Sequence, residues 1–202
     1  IDNDGNTREG DYLMAIFARD FKQRKKLKDD TVVATVMANM GFHEAMQAEA
    51  ISVHTTAVGD RHILKALGEN NWSLGGEQSG HIIFSDHART GDGILTGLHL
   101  LNSLKISQMR LSELAQSSMR KFPQLLHSIE LTEQLGDQKT ILQQVQPLIM
   151  EAESIFTQEG RVLVRPSGTE PILRIMVEGE SESEVYQVTN EVMKSIKRAL
   201  KL

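Results

Sequence analysis

The residues best equipped for chemistry lie in the stretch 160–170, GRVLVRPSGTE. A β-favouring run ends at Arg165, followed by Pro166, Ser167, Gly168, Thr169 and Glu170. A strand stopping in this way offers a fixed guanidinium, two hydroxyls and backbone N–H groups around one point. Such a donor-rich set without matching acceptors suits a phosphate group. The same residues also make an ordinary Pro-Gly turn capped by Ser and Thr, and spacing alone leaves both readings open.

A second chemically capable stretch is 75–84, GGEQSGHIIF. Its glycines permit tight turns and close approach of a ligand. Glu77 can accept from two neighbouring hydroxyls, and Ser79 both donates and accepts, a combination suited to a polyol such as a sugar. A hairpin loop with solvated polar residues is the competing reading. His81, next to this loop, is a candidate for proton transfer or a structural histidine. A third stretch, TTAVGDRH at 55–62, joins a strand end to a helix start, where ligands gather in α/β folds. There Arg61 could reach an anion, or be neutralised by Asp60. Asp92, in TGDG at 90–93, reads as a helix cap.

The elements needed to carry these loops follow from the pattern of the chain. Asp11 is predicted to cap a helix with Leu13, Ile16, Phe17 and Phe21 at helical spacing, ending in the solvated basic run Arg24-Lys25-Lys26. Strands are expected at 31–37 and 51–56, alternating with helices at 42–50 and 59–67. That alternation predicts an α/β layer with some parallel pairing. The glycine loop lies between short strands at 72–74 and 81–84. Helices follow at 92–104, with Leu95, Leu98 and Leu101 on one side, and at 111–119. The Lys121-Phe122-Pro123 break marks a domain boundary. Beyond it the order is strand (125–131), helix (139–156), strand (161–165), strand (172–178) and helix (182–200), a small α+β domain. Ser181 and Glu184 are predicted to form a capping box. The opening Asn3-Asp4-Gly5-Asn6 is a turn. Counted from Asp2, a calcium loop would place Thr7 and Leu13 where Gly and Glu are required.

Composition sets the outer limits. The 202 residues are 40% apolar and 24% charged, enough for one or two globular domains. The net charge of −5 argues against a general nucleic-acid or anionic-membrane binder. Cysteine is absent, which excludes disulfides and thiolate metal sites and fits a cytoplasmic protein. No run approaches the roughly 18 apolar residues of a membrane-spanning helix.

Taken together and in this order, GGEQSGH and RPSGTEP, with VVATVMANMGF, TTAVGDR and TGDGILTGLHLL, resemble the α-D-phosphohexomutase superfamily across essentially the whole chain. The resemblance implies residues 1–8 as the tail of the family's domain 2. It further implies residues 9–121 as a mixed α/β layered sugar-binding domain 3 and 122–202 as a smaller α+β phosphate-binding domain 4, similar to the TATA-box-binding protein fold. Such enzymes interconvert 1-phospho and 6-phospho sugars through a phosphoserine and a bisphosphate intermediate. By this resemblance Glu77 and Ser79 hold ring hydroxyls and His81 assists proton transfer. Arg165, Ser167, Gly168 and Thr169 grip the non-reacting phosphate, and Arg174 and Arg61 add to the phosphate contacts. Gln78 and Gly168 favour the branch that interconverts glucosamine 6-phosphate and glucosamine 1-phosphate, feeding cell-wall precursor synthesis. Phosphomannose or phosphoglucose mutases often carry Met and Asn at these positions.

Two family motifs are missing: no Ser-His-Asn-Pro segment carries a phosphoserine, and no Asp-Gly-Asp-Gly-Asp-Arg loop holds Mg²⁺. The expectation is therefore a C-terminal piece beginning just after the metal loop, inactive alone. Mg²⁺ would be required only by the full-length enzyme, whose form admits a homodimer. The alternative from another class is a non-catalytic phosphosugar-binding module.

Overall fold

The computed structural model describes residues 1–131, 138–168 and 170–202. The chain divides into two units, Ile1–Lys121 and Phe122–Leu202.

In the first unit a four-stranded sheet has the order β2-β1-β3-β4, with β1 (Thr31–Thr35), β2 (Ser52–Thr56), β3 (Leu74–Gly76) and β4 (Ile82–Phe84). β1 runs parallel to both β2 and β3, and β4 closes against β3 as an antiparallel hairpin. Every residue of β1 is buried, because helices cover both faces of the sheet at this strand. Val32 and Ala34 join a core with Met14, Phe17, Phe42 and Leu74, while Val33 turns to Ile63, Leu67 and Ile83. A strand buried on both faces must be a continuous apolar, β-branched run, and TVVAT is one.

The helices are α1 (Gly10–Gln23), α2 (Met40–Ala48), α3 (Asp60–Asn70), α4 (Gly93–Ser107) and α5 (Leu111–Ser118). α1 buries Met14, Phe17, Ala18 and Phe21, one face at helical spacing. Its predicted cap is a correction. The N-cap is Glu9, without a side-chain hydrogen bond, and Asp11 is buried, its Oδ2 accepting the Asn39 N–H at 2.9 Å. The Gly10 N–H at the start of α1 is instead satisfied by the Gln78 carbonyl at 2.9 Å. Asp11 is thereby available to fix the loop after β1.

Asp92 does cap α4, accepting from the N–H groups of Ile94 and Leu95. The leucine side of α4 does not form core, however: Leu98 and Leu101 are 60% and 64% exposed. α4 is apolar on nearly every side, so periodicity does not select its inner face. Ring packing of His99 on Phe84, at 4.1 Å, is what turns toward the core.

The second unit pairs β5 (Gln124–Glu130), β7 (Ile172–Gly179) and β6 (Gly160–Pro166) in that order, all antiparallel. Its core joins these strands to α6 (Gln138–Glu153) and α7 (Glu182–Leu200) through Ile141, Val145, Leu173, Ile175, Val188 and Val192. Ser181 accepts the Glu184 N–H at 3.4 Å, forming half of the expected capping box. The other half is missing because the Glu184 carboxylate accepts from Thr157.

Candidate functional site

In the first unit, parallel strands bring the loops after β1, β2 and β3 to one edge of the sheet, the carboxyl edge where α/β folds bind ligands. The glycine loop is the tip of the β3–β4 hairpin. The Glu77 N–H donates to the His81 carbonyl at 3.0 Å, and the Gly80 N–H to the Glu77 carbonyl at 2.9 Å. Gly80 has φ +94°, which a side chain would disfavour.

Three loops meet around this tip. Glu77 Oε1 accepts the Gly59 N–H at 3.1 Å, tying the tip to the loop between β2 and α3. His81 Nε2 lies 3.7 Å from Asp60 Oδ2, at the start of α3. The His81 ring also packs on Gly91, where a Cβ would come within 2.3 Å of Nε2. α1 supports the tip from behind, since a Cβ on Gly10 would lie 2.1 Å from the Glu77 carbonyl oxygen. Glu77 and His81 are half-buried and Ser79 is exposed, its hydroxyl without a hydrogen-bond partner among the described residues. This arrangement offers acceptor oxygens and a hydroxyl to a polyol, with an imidazole and a carboxylate adjacent for proton movement. Arg61 is exposed and its Nε donates to His62 Nε2 at 3.2 Å.

Residues 55–60, 77–81 and 90–92 were each visible as polar loops, but the meeting of Asp60 with His81 was not. Nothing in sequence separation signals it, and only the β2–β1–β3 order creates it. Gly10 and Gly91 were missed for the same reason, since their role is to stay out of the way.

In the second unit, β6 and β7 place Arg165 directly opposite Arg174, with Pro166 opposite Leu173. Directly opposed residues of an antiparallel pair share a face, so two guanidinium-bearing side chains share one patch beside the turn. Arg165 is half-buried; Arg174 is exposed and pairs with Glu170 at 2.9 Å. Ser167 is 4% exposed rather than displayed, and its N–H is taken by the Ile172 carbonyl at 2.9 Å. Gly168 is exposed, with open space where a Cβ would point. Thr169 lies outside the described residues. Among the described residues no group of three or more His, Asp or Glu side chains is placed to hold a metal ion.

Residues 9–122 match the phosphoglucomutase/phosphomannomutase alpha/beta/alpha domain III, and residues 110–195 match the C-terminal domain of the same family. The chain belongs to the phosphoglucomutase/phosphomannomutase family. It is 46% identical over 202 residues to a phosphoglucosamine mutase of Brevibacillus brevis, covering 99% of this chain and 44% of that protein. It is 41% identical to the phosphoglucosamine mutase of Bacillus subtilis, covering 100% of this chain and again 44% of the relative. The chain therefore spans less than half the length of these relatives. Among solved structures, the fold matches Aspergillus fumigatus N-acetylphosphoglucosamine mutase in complex with GlcNAc-6P and magnesium. That match has TM-score 0.79 and 21% identity, over 97% of this chain and 45% of that one. A Burkholderia thailandensis phosphoglucomutase/phosphomannomutase family protein gives TM-score 0.78 at 19% identity, over 97% of this chain and 43% of that one.

Proposed function

We propose that this chain supplies the sugar-binding and phosphate-binding loops of a phosphoglucosamine mutase. The full-length enzyme would interconvert glucosamine 6-phosphate and glucosamine 1-phosphate through a phosphoserine and a bisphosphate intermediate. The observation that carries the reading is the Arg165–Arg174 pair in register beside the Pro166-Ser167-Gly168 turn. Two guanidinium-bearing side chains on one face of a sheet offer charge-assisted donors in the geometry a phosphate dianion accepts. The names of the Brevibacillus brevis and Bacillus subtilis relatives support glucosamine over glucose or mannose.

In this reading Glu77 and Ser79 hold ring hydroxyls, with Glu77 oriented by its bond from Gly59. His81 moves a proton at the reacting end, with the Asp60 carboxylate beside it. Arg165 and Arg174, with Gly168, Thr169 and Ser167, grip the non-reacting phosphate. Arg61 adds positive charge. Residues 1–8 are the end of the preceding domain, residues 9–121 the sugar domain and 122–202 the phosphate domain. Mg²⁺, when bound, neutralises charge on the transferring phosphoryl group and belongs to the part of the enzyme outside this chain. The site of action is the cytoplasm.

Calorimetric titration of the chain with glucosamine 6-phosphate tests this. Arg165→Ala is expected to weaken binding by about 1.5–3 kcal/mol, the range for a charge-assisted hydrogen bond. Unchanged affinity would sink the assignment. The chain alone, lacking a phosphoserine motif, is expected to show no Mg²⁺-dependent mutase activity. For the complete enzyme, a panel of hexose phosphates should favour glucosamine; preferential turnover of glucose or mannose phosphates would point to the other branch of the family.

A further inference from the structure

Away from the loops described above, the first unit holds a cavity of about 640 Å³. None of residues 59–61 or 77–81 lines it. One wall is the basic end of α1 and the turn after it, Arg24, Lys25, Lys26 and Lys28. Lys25 adopts a left-handed conformation, φ 55°, which breaks the helix at this wall. Arg24 is paired with Asp20 at 2.8 Å and Lys28 with Asp86 at 2.5 Å. The ammonium groups of Lys25 and Lys26 form no ion pair or hydrogen bond among the described residues. With Arg24 matched by Asp20 and Lys28 by Asp86, Lys25 and Lys26 leave this wall a surplus of two positive charges. In a chain of net charge −5 this is a local reversal of sign.

The facing wall is flat and largely apolar. His99 stacks on buried Phe84 with rings 4.1 Å apart and 23° from parallel, and meets Phe17 and Phe21 edge-on. It is half-buried beside His87, Leu95 and Leu98 on the cavity wall. The cations also act on this imidazole. Burial, then repulsion by His87 and Arg24, holds its pKa below the usual histidine value, against an opposing pull from Asp20.

We propose that this cavity binds a phosphorylated ligand carrying a flat ring, the chemistry of a nucleoside di- or triphosphate. Its phosphates would be held by Lys25 and Lys26 and its base would lie against His99 and Leu98. Clustered positive charge in a concavity with low-dielectric walls concentrates anions. Imidazole and aliphatic surface accept a base without reading its sequence of donors and acceptors. The volume lies within the range of roughly 300–1,000 Å³ typical of small-molecule sites.

The test is calorimetric titration of the chain with ADP, inorganic pyrophosphate and adenosine in turn. ADP is expected to bind more tightly than either part. Lys25→Glu combined with Lys26→Glu should weaken ADP by at least about tenfold, the equivalent of one charge-assisted hydrogen bond. Leu98→Gln, at an exposed position that leaves the core intact and adds no charge, should weaken ADP but not pyrophosphate. Arg165→Ala should leave ADP binding unchanged, separating this site from the proposed phosphosugar loop. Absence of ADP binding at millimolar concentration overturns the proposal. Pyrophosphate binding as tightly as ADP, or ADP binding indifferent to the lysine variants, does so equally.

Discussion

A guanidinium held opposite another guanidinium across two strands has few partners that suit it better than an anion. At the residue scale this is the feature of Arg165 and Arg174 on which the proposed phosphate binding rests. The Glu170 partner of Arg174 is itself exposed, and water screens a pair of that exposure. His81 presents the complementary case, a titratable ring whose position depends on what is absent beside it. Gly91→Ala would place a methyl about 2.3 Å from Nε2, so the ring must leave its position beside Asp60 or the backbone must shift. In the complete enzyme this substitution is expected to lower kcat by more than about tenfold, within the range for general acid–base groups, with KM little changed. Steady-state kinetics decide it, and a change in KM alone would make His81 a binding residue. The sequence displayed His81 and Arg165 as residue types; it did not display their partners, which come from other strands and loops.

At the scale of elements, β6 and β7 hold the turn at 166–168 in place, and an ion pair with a buried carboxylate helps hold them. Glu178 on β7 is fully buried and accepts from Arg161 Nε and Nη2 on β6, at 2.9 and 2.7 Å. Removing the arginine would leave a carboxylate in the interior without this partner. Arg161→Ala is therefore expected to destabilise the second unit by about 3 kcal/mol, measurable by urea unfolding, whereas a surface pair would show less than about 1 kcal/mol. The strands themselves were legible as β-branched runs, and α7 was legible from Val185, Val188, Val192 and Ile196 at helical spacing. The inner face of α4 was not, because a helix apolar on nearly every side carries little directional signal. Nor was the burial of Asp11, whose carboxylate serves a loop rather than its own helix.

At the scale of the whole molecule, each unit closes a core of its own, and the single tryptophan, Trp72, reports on the first alone. His99 makes that unit sensitive to acid. Its folded pKa is lowered, first by burial, then by His87, Arg24 and Lys26 outweighing Asp20. A lowered histidine pKa means that protonation favours the unfolded chain. Stability is therefore full above the unfolded value of about 6.5 and declines as pH falls through the folded value. Urea midpoints followed by Trp72 fluorescence should drop on acidification from neutral pH, and His99→Phe should flatten that response.

The amino-acid order alone specified the alternation of strands and helices, the break near Lys121 and the positions of the two polar turns. Those are properties of neighbouring residues: periodic burial, turn-forming glycine and proline, and charge density along the chain. Tertiary structure decided which of these groups meet. Glu77 finds Gly59, His81 finds Asp60, and Arg165 faces Arg174, because strand order and register bring distant backbone together, and no local pattern encodes a distance across a sheet.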